Sequence, residues 1–187
     1  MKLTIDNGQL PAEWRMQKLE DLCELISGQH IDAKDYNTEH RGLGYLTGPS
    51  DFGELYPTIS KWTEYPKKNA AKSDILITVK GSGVGKINIL NDDEVAISRQ
   101  LMAIRVSNVD RDYLYNFLKL QFSFFQDLAT GAAIPGLSRQ NVLGLDIPMP
   151  SLREQKRIVA IVEQAALLIL GMNLSNQVLR KFIQPKS

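Results

Sequence analysis

One cysteine, Cys23, and two histidines, His30 and His40, are all that 187 residues offer of thiol and imidazole metal ligands. A single thiol excludes an internal disulfide framework, and the set is too small for a zinc-type cluster. No apolar stretch approaches the roughly 20 residues that span a bilayer, and no basic segment followed by an apolar run opens the chain. A soluble, cytoplasmic protein without membrane attachment and without a metal is expected. Net charge is almost absent as well: 22 Lys+Arg against 21 Asp+Glu give +1. With no broad basic field, any nucleic-acid contact has to be local and carried on loops. The imbalance that exists sits at the end, where residues 152–187 hold six Lys/Arg against Glu154 and Glu163, a balance of +4 that leaves −3 for the rest.

What is present is enough apolar residue, 43% of the chain, for one ordinary core and one appended element. The stretch "DILITVKGSGVGKINIL", residues 74–90, sets three glycines and two lysines between apolar runs. It is not a P-loop: Gly81 and Gly85 are separated by three residues, and Lys86 is followed by Ile87 where a hydroxyl must reach magnesium. The dinucleotide fingerprint fails too, because the spacing is G-x-G-x-G and no long helical pattern follows. Strands over 75–79 and 86–90 joined by a glycine loop account for the pattern. That leaves Lys80, Ser82 and Lys86 gathered at a hairpin tip, where backbone N–H groups, a hydroxyl and two cations suit a nucleic-acid backbone.

Upstream, "LPAEWRMQKLEDLCELISG" predicts a short strand around Trp14 to Lys18, with Trp14 in the core, then a brief amphipathic helix stopped by Gly28. Residues 29–73 alternate short apolar pairs with Gly, Pro, Asn and Asp, the pattern of short strands and long loops. "EVAISRQLMAIRV", residues 94–106, predicts one or two strands interrupted near Ser98, Arg99 and Gln100. From Asp110 to about Ala129 the period changes, with Tyr113, Phe117, Leu120, Phe124 and Leu128 on one helical face and Asp110 as cap. A loop, a short helix "LSRQNV" capped by Ser138 or a neighbour, and a strand "LDIPMP" complete this part.

After Pro150, Ser151 and Glu154 stand as a capping box at the start of a long helix. Its apolar positions, Ile158, Val162, Ala165, Ile169, Met172, Asn176, Leu179 and Ile183, are spaced alternately by four and three, the seam of a coiled coil with Asn176 as a polar member. In the same region Asp146, Glu154 and Lys156 match the loose acidic pattern of metal-dependent nucleases. Those enzymes need carboxylates that converge on magnesium, whereas residues two apart in a helical turn point in different directions.

Taken in order, "LPAEWRMQKLEDLCELISG", "KSDILITVKGSGVGKINIL", "AISRQLMAIRV" and above all "LDIPMPSLREQKRIVAIVE" resemble the specificity subunits of type I restriction–modification systems over nearly the whole chain. The resemblance implies an α+β fold: an irregular β-rich DNA target recognition domain with a few helices over 1–150, then a helical spacer and dimerisation region over 151–187. It implies a non-catalytic chain that reads one half of a bipartite target in double-stranded DNA. Neither an S-adenosylmethionine loop nor an N-P-P-Y/F motif occurs in the sequence. Methylation would therefore reside on modification subunits, with a restriction and translocation subunit reached through the complex, and no cofactor held by this chain. One recognition domain and one helix make half a subunit, either part of a longer chain or a half-length form that pairs with itself or with a second half. The alternatives are a stand-alone nuclease using Asp146, Glu154 and Lys156, and a helical interaction module that does not touch DNA.

Within the resemblance, Lys80, Ser82 and Lys86 are candidates for phosphates, while Arg99 and Gln100 present bidentate edges suited to guanine and adenine. Lys34, Arg41, Lys61 and Arg139 are lesser candidates, and each of these polar residues reads at least as well as an ordinary solvated surface group.

Overall fold

The computed structural model describes residues 11–81, 83–131 and 136–183, with side chains described as far as residue 169. Strands β1 (Arg15–Lys18), β2 (Cys23–Ser27), β3 (Leu43–Leu46), β4 (Trp62–Thr63), β5 (Asn69–Ala71), β6 (Ile75–Thr78), β7 (Ile87–Ile89), β8 (Glu94–Ile97) and β9 (Leu101–Val106) precede helices α1 (Arg111–Leu120), α2 (Phe122–Thr130) and α3 (Arg139–Leu143). Strand β10 (Asp146–Met149) then leads into the long helix α4 (Leu152–Ile183).

Two four-stranded sheets form the body. One is antiparallel throughout, in the order β2-β9-β6-β7. The other runs β4-β3-β8-β5, with β3 and β8 parallel and the remaining pairs antiparallel. The period of two along β6 divides its side chains between two cores. Ile75 and Ile77 join Met102, Ile104 and the helix residues Leu114, Leu118 and Phe125. Leu76 joins Leu101, Ala103 and, from the second sheet, Leu46, Ala70, Val95 and Ile97. The first sheet is therefore covered on both faces. Strands β1 and β10 pair with each other, Lys18 opposite Asp146, and so bring the start of the chain beside the entry to α4.

Several elements are where the sequence puts them. The chain between β8 and β9 breaks at Ser98 to Gln100, the glycine loop joins β6 to β7, and residues 29–73 supply three short strands separated by loops. Asp110 accepts the N–H groups of Asp112 and Tyr113 at the start of α1, and Ser138 accepts that of Asn141 in α3. At α4, Ser151 Oγ accepts the N–H of Glu154 at 3.3 Å, but the Glu154 carboxylate forks the Arg157 guanidinium at 2.9 Å on each arm.

Four expectations are corrected. The helix ahead of Gly28 is a single 3-10 turn, Leu19–Asp21, followed by β2, because residues 23–27 pair antiparallel with residues 102–106. Trp14 is half-buried. The helix over 110–129 is two helices divided at Gln121, a buried residue whose backbone N–H closes α1 on the Leu118 carbonyl and which stands as the cap of α2. That break rotates the buried face: Leu120 is exposed, and Leu114, Leu118, Phe125 and Ala129 fill the core beside Tyr113 and Phe117. The glycine hairpin is no free tip either, since Val84 is buried and its carbonyl accepts the side-chain amide of Gln126.

Ile158 and Val159 of α4 pack on the main core, and every described residue from 160 to 169 is exposed. Of the heptad seam, Val162, Ala165 and Ile169 face solvent; the side chains of Met172, Asn176, Leu179 and Ile183 lie outside the described residues. Among the described residues no helix is long and apolar enough to cross a membrane.

Candidate nucleic-acid interface

Three turns at one end of the sheets are bonded into a single surface. The first, 47–51, follows β3. Its Asp51 carboxylate accepts the N–H of Thr47 at 2.6 Å, the Thr47 hydroxyl at 2.9 Å and the N–H of Gly48 at 3.4 Å. The second, 98–100, joins β8 to β9. Its buried Ser98 hydroxyl donates to the carbonyl of Thr47 at 2.6 Å and accepts the N–H of Gln100 at 3.1 Å. The third, 79–86, carries the glycines. Val79 N–H donates to the carbonyl of Gln100 at 2.8 Å, and Gly83 lies so near the Pro49 ring that a Cβ would stand 2.6 Å from it.

Glycine is required at two points of the third turn. Gly81 and Gly85 have φ of 89° and 82°, the left-handed region that side chains rarely adopt. Gly85 also lies against Phe122 and Phe125, so the loop is plugged into the core. From these joined turns Lys80, Lys86, Arg99 and Gln100 are exposed. Ser82 lies outside the described residues.

Electrostatics tie the second turn to the first. Burial raises the Tyr45 phenol above its usual pKa, with the Tyr36 phenol and the Asp51 carboxylate adding to the shift, while a hydrogen bond to the Ile31 backbone and the Arg99 charge oppose it. Arg99 and Asp51, from the second and first turns, therefore both stand within electrostatic range of the Tyr45 phenol.

The other four candidates are placed differently. Arg139 donates to the carbonyl of Leu25 and to Ser27 Oγ, both at 2.8 Å, and so clamps α3 to the end of β2. Arg41 pairs with Glu39 at 3.3 Å. Lys61 lies over the Tyr36 ring, 5.2 Å from its centroid. Lys34 is exposed on the 3-10 turn Ala33–Asp35. The turns thus bring four of the nine candidates together, and three of the others are engaged within the fold.

A cation that sequence reasoning passed over adjoins this surface. Lys119, at the end of α1, lines with Pro49, Phe52, Lys86 and Phe122 a cleft of about 320 Å³. Its neighbours in sequence carry the apolar face of α1 and give no sign of the cleft. The nuclease alternative finds no support in the geometry. Asp146 pairs with Lys18 at 2.7 Å, and both Glu154 oxygens are taken by Arg157 at 2.9 Å. Among the described residues no group of three His, Cys, Asp or Glu side chains is arranged to hold a metal.

Comparison with known proteins gives one family. A family model described as "Type I restriction modification DNA specificity domain" matches residues 11–179. A putative type I restriction enzyme MjaX specificity subunit from Methanocaldococcus jannaschii is 31% identical over 155 residues, covering 81% of this chain and 36% of the relative. The MjaVIII specificity subunit of the same organism is 27% identical over 177 residues, covering 92% of this chain and 40% of the relative. Among solved structures, the HsdS subunit from Thermoanaerobacter tengcongensis superposes with a TM-score of 0.79 at 30% identity, covering 91% of this chain and 41% of that one. The chain spans about two fifths of the length of the relatives it matches.

Proposed function

Since the chain belongs to the family of type I restriction modification DNA specificity domains, we propose that it reads one half of a bipartite target in double-stranded DNA for modification subunits that carry out the methylation. The observation that carries this reading is the joining of three turns into one surface. Ser98 and Val79 bond the turns to each other, and Lys80, Lys86, Arg99 and Gln100 are exposed on them. Cations at the edge position a duplex through its phosphates, while a planar guanidinium and a carboxamide suit base edges in the major groove. Near-neutral net charge accords with a contact confined to these loops.

In this reading residues 1–150 form the recognition domain and 151–187 the spacer. The chain is non-catalytic and works in the cytoplasm. A restriction and translocation subunit joins through the complex. Helix α4, about 48 Å long at 1.5 Å per residue, pairs antiparallel with a second copy or a second half and fixes the distance between two half-sites. A two-fold assembly would read an inverted repeat interrupted by unread bases.

The test is selection of bound duplexes from a randomised pool by the full chain together with modification subunits. A recovered motif of one half-site, or two half-sites in inverted order, is the expected result. Recovery of no sequence preference would sink DNA reading and favour the helical interaction module.

A further inference from the structure

We infer that Gly48 is a positioning residue that sets the direction of the Gln100 carboxamide, and through it the base pair this chain reads at that point. The inference rests on the DNA-reading proposal and adds to it a residue that touches no DNA.

Gly48 has φ 166° and ψ −163°, extended backbone that any residue adopts, so its own conformation does not require glycine. Its surroundings do. A Cβ built there would overlap Gln100 Oε1 and stand 3.2 Å from Gln100 Cδ and 3.7 Å from Gln100 Cβ. Gly81, on the opposing turn, would place its Cβ 3.9 Å from the same Oε1. Among the described glycines these two are the ones whose added carbon would have Gln100 as its nearest neighbour. Gly28, Gly42 and Gly53 instead abut backbone, and Gly44, Gly83 and Gly85 abut apolar side chains. Gly48 therefore leaves a slot that Gly81 borders at ordinary contact distance, and one exposed polar side chain lies in it.

The rest of the slot is fixed. Gln100 donates its N–H to Ser98 Oγ at 3.1 Å and accepts the Val79 N–H on its carbonyl at 2.8 Å, so its backbone is held by both neighbouring turns. Gly48 cannot recede, because the Asp51 carboxylate grips Thr47 and Gly48 while Ser98 Oγ holds the Thr47 carbonyl at 2.6 Å. A methyl group at position 48 then displaces the end of a flexible side chain, and the turn stays in place. A carboxamide reads adenine only when its oxygen and nitrogen both lie in the plane of the base edge, so a change of rotamer loses or alters the contact.

The experiment uses the full chain with modification subunits and compares Gly48→Ala, Gln100→Ala and the double variant by pool selection, salt-dependent binding and thermal melting. Gln100→Ala is expected to flatten the preference at one base pair by about 5- to 150-fold, the range for a bidentate contact. Gly48→Ala is expected to flatten or change the preference at that same pair, with the other positions, the salt slope and the melting midpoint as in the wild type. The double variant is expected to match Gln100→Ala alone, since a positioning residue has nothing left to position. A wild-type profile for Gly48→Ala, an effect at a different base pair, an effect that adds to that of Gln100→Ala, or a lowered melting midpoint would each overturn the inference. So would a selective protein whose profile ignores Gln100→Ala. A wild-type chain that selects no sequence at all would instead overturn the DNA-reading proposal beneath it.

Discussion

Gln155 Oε1 accepts the backbone N–H of Asp110 at 2.8 Å, and the same carboxamide donates from Nε2 to the carbonyl of Pro150 at 2.9 Å. One side chain thus joins the start of α1, the end of β10 and the start of α4. Tyr113 strengthens the same junction by donating its hydroxyl to the carbonyl of Pro148 at 2.6 Å. The Glu-Gln-Lys opening of the last helix, legible in the sequence only as a family signature, has its physical basis in this bracket. It fixes where α4 leaves the body formed by the sheets and α1.

Gln155→Leu tests the bracket. The residue is 1% exposed, so the substitution leaves two backbone groups without a partner in a site that water does not reach. Each stranded group costs roughly 1–3 kcal/mol. Urea denaturation should show a lower midpoint with an unchanged slope, and a wild-type midpoint would remove Gln155 from this role.

Alkaline pH should loosen the domain in two stages. Burial pushes the Cys23 thiol from 9.0 up to about 11, opposed in part by the Arg139 charge, and pushes the Tyr113 phenol from 10.0 up to about 12. Both are acids whose folded pKa is raised, so the native state keeps protons that the unfolded chain gives up. Their contribution is complete below the unfolded values and is lost as pH rises through the folded ones, from about 9 to 11 for Cys23 and from about 10 to 12 for Tyr113. Tyr113→Phe should flatten the upper stage, while losing about 1 kcal/mol at neutral pH with its hydrogen bond. Denaturation at stepped pH reads both effects; parallel curves for the variant and the wild type would contradict the second stage.

Lys80→Ala and Arg139→Ala should separate contact from scaffold. Removing Lys80 is expected to weaken binding to all sequences alike and to lower the salt slope by about one, the signature of a lost phosphate contact. Removing Arg139 breaks its bonds to Leu25 and Ser27 and should lower the melting midpoint instead, with the salt slope kept. A salt slope that drops with Arg139→Ala and stays with Lys80→Ala would reverse the assignment.

Local chemistry made part of this legible in advance. Asp110 and Ser138 cap their helices because a short polar side chain before an apolar period has few other uses, and the break at Ser98 to Gln100 shows in composition. Non-local pairing hid the rest. Residues 23–27 have an amphipathic helical spacing of their own, and only the opposing strand at 102–106 makes them extended. Arg139 is as basic as Lys80, and nothing nearby in sequence says that Leu25 and Ser27 await it. Gly48 and Gln100 lie on different turns, so no window of the chain contains their relationship. Gly85 of the glycine loop abuts Phe122 and Phe125, a packing role that its neighbours in sequence do not signal.

The exposed half of α4 calls for a partner helix. Ile158 and Val159 are satisfied on the core, but Val162 and Ile169 of the seam are 40% and 60% exposed, with Ile161 and Leu168 beside them also open to water. Burying such side chains fully is worth roughly 1.5–3 kcal/mol each, so a stripe of four is a strong drive to association. The spacing by threes and fours from Ile158 selects a helix as the covering surface, and a second copy of α4 offers the matching stripe. Ile169→Glu puts a charge in that stripe away from the two sheets; if the proposed self-pairing holds, it should shift sedimentation from dimer to monomer while half-site preference persists. Antiparallel pairing carries a second consequence: lengthening α4 by whole turns should lengthen the unread gap in the selected motif, leaving each half-site as it was. A wild-type chain that stays monomeric at tens of micromolar would rule out self-pairing at the strength expected of a specific interface. The stripe would then belong against the second half of a longer subunit, and the gap would depend on that helix as well as on this one.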